Sequence, residues 1–162
     1  MDAQAETGDE RTWQSGAAKG GTAGTILLVE DEGFVREVTS EVLRSAGYHV
    51  LTAKNAIEAE RTYVQLWGEV DLLLTDVILP GESGSSFAGR LRLGNSRLKI
   101  LLVTGYPEQM GLLETGREEC LAKPFSKREL LARVKRMITG GELAHEREQL
   151  ELRPASGSAS PA

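Results

Sequence analysis

Apolar positions follow two rhythms that alternate from residue 25 to residue 139. Short unbroken runs, TILLV (25–29), YHVLTA (48–53), VDLLLT (70–75), LKILLVT (98–104) and the brief CLAK (120–123), have the length of buried strands. Between them apolar residues recur at helical spacing. Residues 34–46 place Phe34, Val35, Val38, Val42 and Leu43 on one face, with Gly47 as the stop. Residues 55–67 do the same with Ala56, Ala59, Tyr63, Leu66 and Trp67, which puts Trp67 in the core or over a helix end. Pro80, Gly81 and Gly84 mark a loop ahead of a helix through Phe87, Ala88 and Leu91. Ser126 with Glu129 has the capping-box spacing ahead of Leu130, Leu131, Val134 and Ile138. Five strands alternating with five helical segments predict an α/β fold, a doubly wound five-stranded parallel sheet with helices on both faces.

The two flanks break this rhythm. Residues 1–24 are small, polar and Gly-rich, with Trp13 as the one large apolar group, and read as a disordered N-terminal tail. Residues 140–162 open on Gly140–Gly141 and finish as RPASGSASPA. They read as a disordered or weakly helical C-terminal tail, in which GELAHEREQLEL is able to extend the last helix. A single domain over 25–139 fits a chain of 162 residues.

Composition narrows the partners. Hydrophobic residues make up 40% and aromatics only 5%, so the core must be aliphatic. The 24 acidic residues outnumber the 19 basic ones, for a formal net charge of −5. That balance provides no basic footprint for nucleic acid and no polybasic membrane patch. No apolar run reaches the roughly 18 residues of a membrane span, and the opening MDAQAETGDE is unlike a signal peptide. A cytoplasmic location is expected. The one cysteine, Cys120, cannot form an internal disulfide and reads as a buried small hydrophobe. His49 and His145 read as surface residues.

The candidate chemistry lies where the strand-like runs end. Glu30 and Asp31 follow ILLV, Asp76 follows DLLLT, Thr104 follows KILLV, and Lys123 lies in LAKP. In a parallel α/β sheet these ends share one edge, where ligands bind. Three carboxylates, a hydroxyl and an ammonium gathered there suit a hard divalent cation and a phosphoryl group. An aspartate is ionised at neutral pH, so Asp76 needs no general base to attack phosphorus.

The motifs ILLVEDE, DLLLTDVILPGESG, ILLVTG and LAKPF, in this order, resemble the receiver domain of two-component response regulators. Among these, VILPGESG and TGYP are most similar to receivers associated with hybrid sensor histidine kinases. The resemblance implies the flavodoxin-like strand order 2-1-3-4-5, for which a receiver is a standing example. It implies Asp76 as phosphoacceptor and Mg2+ as the cofactor, held by Asp31, Asp76 and the backbone carbonyl of Ile78, with Glu30 acting through a water. It further implies that Lys123 pairs with Asp76 and then with the phosphoryl oxygens, that Lys123–Pro124 is cis, and that Thr104 hydrogen-bonds the phosphoryl group. Glu30 stands where the family often has a second aspartate, and Glu32 is expected to be a solvated loop residue.

Three departures from the family pattern bear on output. Cys120 occupies a place where many receivers carry a switching aromatic ring. Only 18 residues separate Thr104 from Lys123, including Pro107, Gly111 and Gly116, so the helix between them should be short or irregular. Ile78 and Tyr106 stand near the phosphoryl position where polar side chains can orient water, so self-dephosphorylation should be slow.

The reading is a stand-alone receiver that takes phosphate onto Asp76 from a sensor histidine kinase or histidine phosphotransfer protein. It is a phosphoryl acceptor that assists its own phosphorylation and dephosphorylation rather than an enzyme. Output would run through an unknown downstream protein or onward phosphorelay, and homodimerisation stays open. Two alternatives remain. One is a phosphorylation-independent interaction module of the same fold. The other is a magnesium-dependent aspartyl phosphatase, against which stands Ile78 where a second acid is usual.

Overall fold

The computed structural model describes residues 23–67, 69–106, 108 and 118–151, with side chains as far as residue 140. The strands are β1 (Thr25–Val29), β2 (His49–Ala53), β3 (Leu72–Asp76), β4 (Lys99–Thr104) and β5 (Glu118–Ala122). The helices among the described residues are α1 (Gly33–Ser45), α2 (Ala56–Gln65), α3 (Gly84–Gly94) and α4 (Lys127–Glu151). All strands pair in parallel, in the order β2-β1-β3-β4-β5. The expected sheet and its order are therefore observed. The short helix expected between Thr104 and Lys123 falls mostly on 107 and 109–117, outside the described residues.

Neighbouring residues of a strand point to opposite faces, so each apolar run supplies two cores. Leu27, Val29, Leu73, Ile100, Leu102 and Cys120 pack on one face against Ala56 and Ala59 of α2 and Phe87, Ala88 and Leu91 of α3. Ile26, Leu28, Leu72, Leu74, Leu101 and Val103 pack on the other, against Leu43 of α1 and Leu130, Val134 and Ile138 of α4. Burial on both faces explains why these strands read as continuous apolar runs rather than as alternating ones.

Boundaries move for local reasons. β3 begins later than expected and takes in Asp76. Asp71 is the junction instead, its backbone N–H donating to the Thr25 carbonyl at 2.9 Å and its carboxylate accepting from the Thr25 N–H at 2.8 Å. β5 begins at Glu118 and ends before Lys123. Its two glutamates hide the strand in the sequence, but arginines answer them: Arg92 Nη1 lies 2.9 Å from Glu118, and Arg133 Nη1 lies 3.1 Å from Glu119.

The face expected for α1 is only partly the buried one. Phe34 is 75% exposed and Val38 44%, while Thr39, Ser40 and Leu43 turn inward. Phe34 and Val38, one turn apart, point about 165° away from that face, on nearly the opposite side of the helix. Trp67 also departs from expectation: it lies beyond the end of α2, 93% exposed, with a left-handed backbone (φ 53°).

The capping box at α4 is formed in both directions. The Ser126 N–H donates to Glu129 Oε2 at 2.7 Å, and the Glu129 N–H donates to Ser126 Oγ at 3.1 Å. The helix runs through Gly140–Gly141, where the second tail was placed, and continues to Glu151, the extension that GELAHEREQLEL was read as able to make. Glycine inside a helix costs about 1 kcal/mol against alanine yet removes no backbone donor. At the opposite side of the sheet β2 is outermost, and Arg44 Nη2 of α1 donates to the Val50 carbonyl at 3.0 Å. Among the described residues no helix is long and apolar enough to cross a membrane.

Candidate functional site

β1 and β3 are adjacent and in register, Val29 opposite Thr75, so their next residues emerge side by side. The Glu30 N–H extends the ladder by one bond, donating to the Ala53 carbonyl at 3.0 Å. Glu30 is 5% exposed, and its Oε1 accepts from the Glu32 N–H at 3.1 Å. Asp31 and Glu32 are exposed, and Asp76 is half-buried. One carboxylate oxygen from each of Glu30, Asp31 and Asp76 lies within 4.8 Å of the other two.

Backbone bonds hold Asp76 in place. Its Oδ1 accepts from the Ile78 N–H at 3.1 Å, and its carbonyl accepts from the buried Thr75 hydroxyl at 3.0 Å. The loop after it is closed by the Val77 N–H on the Val103 carbonyl (2.9 Å) and the Gly84 N–H on the Val77 carbonyl (2.8 Å). Gly84 marked only a loop in the sequence, yet it is the tightest point here. A Cβ at this position would collide with the Asp76 carbonyl and crowd Thr75 Oγ1. Only glycine lets α3 begin against the end of β3.

Lys123 reaches this cluster from the far side. Its Nζ lies 2.6 Å from Asp76 Oδ2 and 3.3 Å from Glu30 Oε2. Its backbone N–H donates to the Thr104 carbonyl at 2.7 Å, tying the ends of β4 and β5 together. Thr104 is buried at the same rim, and its hydroxyl accepts from the Tyr106 N–H at 3.0 Å. The Lys123–Pro124 bond is cis.

The contacting charges lean in different directions. Burial pulls the Lys123 ammonium down, but the hydrogen bond and charge of Asp76, aided by Glu30, outweigh it and raise its pKa. Glu30 is also raised, because burial outweighs the Glu32 N–H and the Lys123 charge. The distances explain the contrast: the lysine sits firmly on Asp76 and only loosely on the more deeply buried Glu30. Lys123 therefore stays charged, while a further cation would favour the charged form of Glu30. Three oxygen donors of this kind fit a hard divalent ion that keeps several waters.

The structure brings Glu30, Asp31, Asp76 and Lys123 into one cluster, with Ile78 bonded to Asp76 and Thr104 joined through the backbone of Lys123. Arg36 was missed. Its Nη1 donates to the Glu30 carbonyl at 2.8 Å and reaches the Asp31 carbonyl at 3.5 Å. An arginine shortly after an acidic pair, in the first turn of a helix, is the signal that could have found it. A wider cavity of about 690 Å³ lies along β2, lined by Arg44, His49, Leu51 and Leu66 among others, and includes none of the carboxylates.

Residues 26–135 match the family model for the response regulator receiver domain. Sensor kinase CckA of Brucella abortus is 37% identical over 117 residues, covering 70% of this chain but 12% of that protein. The phosphate regulon regulator PhoB of Pseudomonas aeruginosa is 38% identical over 119 residues, covering 70% of this chain and 51% of that protein. The chain thus spans about half or less of these curated relatives. Among solved structures, TrrA of Thermotoga maritima in complex with Mg2+ and beryllofluoride aligns with a TM-score of 0.64 and 35% identity, covering 70% of this chain and 98% of that one. The receiver domain of the hybrid histidine kinase CckA aligns with a TM-score of 0.63 and 36% identity, covering 71% and 99%. By sequence across most of its folded part, and by strand order, the chain belongs to the receiver-domain family of two-component response regulators.

Proposed function

We propose that this receiver domain accepts a phosphoryl group on Asp76. The observation that carries the reading is the Lys123–Asp76 contact at 2.6 Å, beside two further carboxylates within 4.8 Å. The site's parts, from Glu30 to Lys123, all lie inside the matched span. Receiver domains take Mg2+ at an acidic pocket. Here Asp31, Asp76 and the Ile78 carbonyl would hold it, with Glu30 acting through a water. Bound there, the ion would supply positive charge against which an anionic nucleophile can meet an anionic phosphoryl group.

The chain's own residues do the rest. Asp76 carries the attacking oxygen, kept in orientation by the Ile78 N–H. As the new O–P bond forms, the P–N bond of a phosphohistidine breaks and its electron pair returns to the imidazole. Lys123 is a point charge on a long stem, able to pass from the carboxylate to a phosphoryl oxygen. Thr104, turned to the Tyr106 N–H before transfer, would then donate its hydroxyl to the phosphoryl group. Such a bond to an anion is worth about 1.5–3 kcal/mol, enough to bias a loop with two arrangements. The phosphodonor is a sensor histidine kinase or a histidine phosphotransfer protein, and output passes through protein contact or onward relay in the cytoplasm.

Acetyl phosphate with Mg2+ tests this reading. Wild type should take up one phosphoryl group by intact mass, and Asp76→Ala none. Labelling of neither would favour a receiver-like module that works without phosphate, and equal labelling of both would place the acceptor at another residue. A pull-down with and without beryllofluoride would then separate partners that depend on the phosphorylated state from those that do not.

A further inference from the structure

Arg36 holds three consecutive carbonyls at the end of β1. Its backbone N–H donates to Glu32 at 2.9 Å, while Nη1 donates to Glu30 at 2.8 Å and reaches Asp31 at 3.5 Å. Residues 30–32 lie between the last bond of the β1–β2 ladder and the first turn of α1, where a chain has most freedom to turn. Arg36 itself is half-buried. We propose that Arg36 is a positioning residue of the acidic site, its guanidinium fixing the backbone of Glu30 and Asp31 so that their carboxylates face Asp76. This rests on the magnesium-binding reading above and adds to it a residue that touches neither the ion nor phosphate.

The sign of the effect separates position from charge. Arg36 is a cation near a site that binds a cation, so its charge alone opposes Mg2+. If charge were its whole contribution, removing it would tighten binding. If position dominates, removing it weakens binding despite the lost repulsion. Lysine keeps the charge, but its ammonium ends one bond short of the Nη1 that makes both contacts, so Arg36→Lys should behave like the neutral variant rather than like wild type.

Titration calorimetry of Mg2+ against wild type, Arg36→Gln, Arg36→Lys and Asp31→Asn decides the matter, with unfolding midpoints in EDTA as the control on folding. Both Arg36 variants should bind Mg2+ roughly tenfold more weakly, the usual scale for losing an outer support of a metal site. Amide exchange at Glu32 and Gly33 in the metal-free protein should quicken in both, while exchange at Leu130 and Val134 in α4 stays as in wild type. Mg2+ binding by Arg36→Gln as tight as wild type or tighter, or by Arg36→Lys equal to wild type, would overturn the inference and leave the metal site standing. Should Arg36→Gln fail to fold, Arg36→Lys carries the test alone. Failure of wild type itself to bind Mg2+, or equal binding by Asp31→Asn, would overturn the metal reading and the inference with it.

Discussion

Ile78 is 58% exposed and Tyr106 49% exposed, although both are apolar in bulk. The Ile78 backbone N–H is bonded to the Asp76 carboxylate and the Tyr106 N–H to Thr104 Oγ1, so both side chains are expected beside a phosphoryl group on Asp76. A branched alkyl group and a ring exclude water, and neither Cβ branch nor ring edge can accept its proton. The phosphoryl half-life of wild type is expected to exceed that of an Ile78→Asn, Tyr106→Glu variant by about tenfold, the effect of roughly 1.4 kcal/mol on a barrier. Decay of the phosphorylated protein followed by intact mass checks this, and an equal or shorter wild-type half-life would refute it. Asp76, Asp31 and Lys123 could be picked out from sequence because each ionisable side chain lies within two residues of the end of an apolar run. Arg36 could not, since it acts on backbone carbonyls that a sequence does not display. Phe34 and Val38 misled for the complementary reason: helical spacing groups apolar residues without saying which group faces the sheet.

Helix α3 begins as closely against β3 as a backbone permits, through Gly84. Gly84→Ala places a methyl group against the carbonyl of the very residue that carries the candidate nucleophile. Either α3 withdraws or the end of β3 moves. The variant should lose about 1–3 kcal/mol of stability, the usual cost of an extra methyl in a packed site, read from its midpoint in urea. It should also take up acetyl phosphate more slowly than wild type. The sequence marked this glycine as punctuation and no more, because close approach is a property of two segments together. Capping at Ser126–Glu129 was legible since both partners lie within one turn. The end of α4 was not: a glycine pair ends a helix only when its backbone turns left-handed, which composition does not reveal.

Across the whole molecule, opposed faces of one sheet feed two separate cores, and the reactive groups collect at a single rim. Strand length and burial were visible in the aliphatic runs. Strand order was not, because equally apolar strands can be shuffled without changing the pattern. It followed from resemblance and was then observed. At the rim the Lys123 ammonium touches two of the three carboxylates, Glu30 and Asp76. The folded state should therefore be stabilised by the ion that completes the balance. At about 100 times its dissociation constant, Mg2+ should add about 2.7 kcal/mol to the unfolding free energy, visible as a raised melting temperature in wild type and absent in Asp31→Asn. Growth of the sheet in the other direction meets a different fate. An outermost strand is a template for another chain's strand, and on β2 the Arg44 guanidinium already lies on the Val50 carbonyl. The fold thus keeps a guard on its flank, and fibre-like stacking of one copy on the next would have to dislodge a charged plug before it could begin.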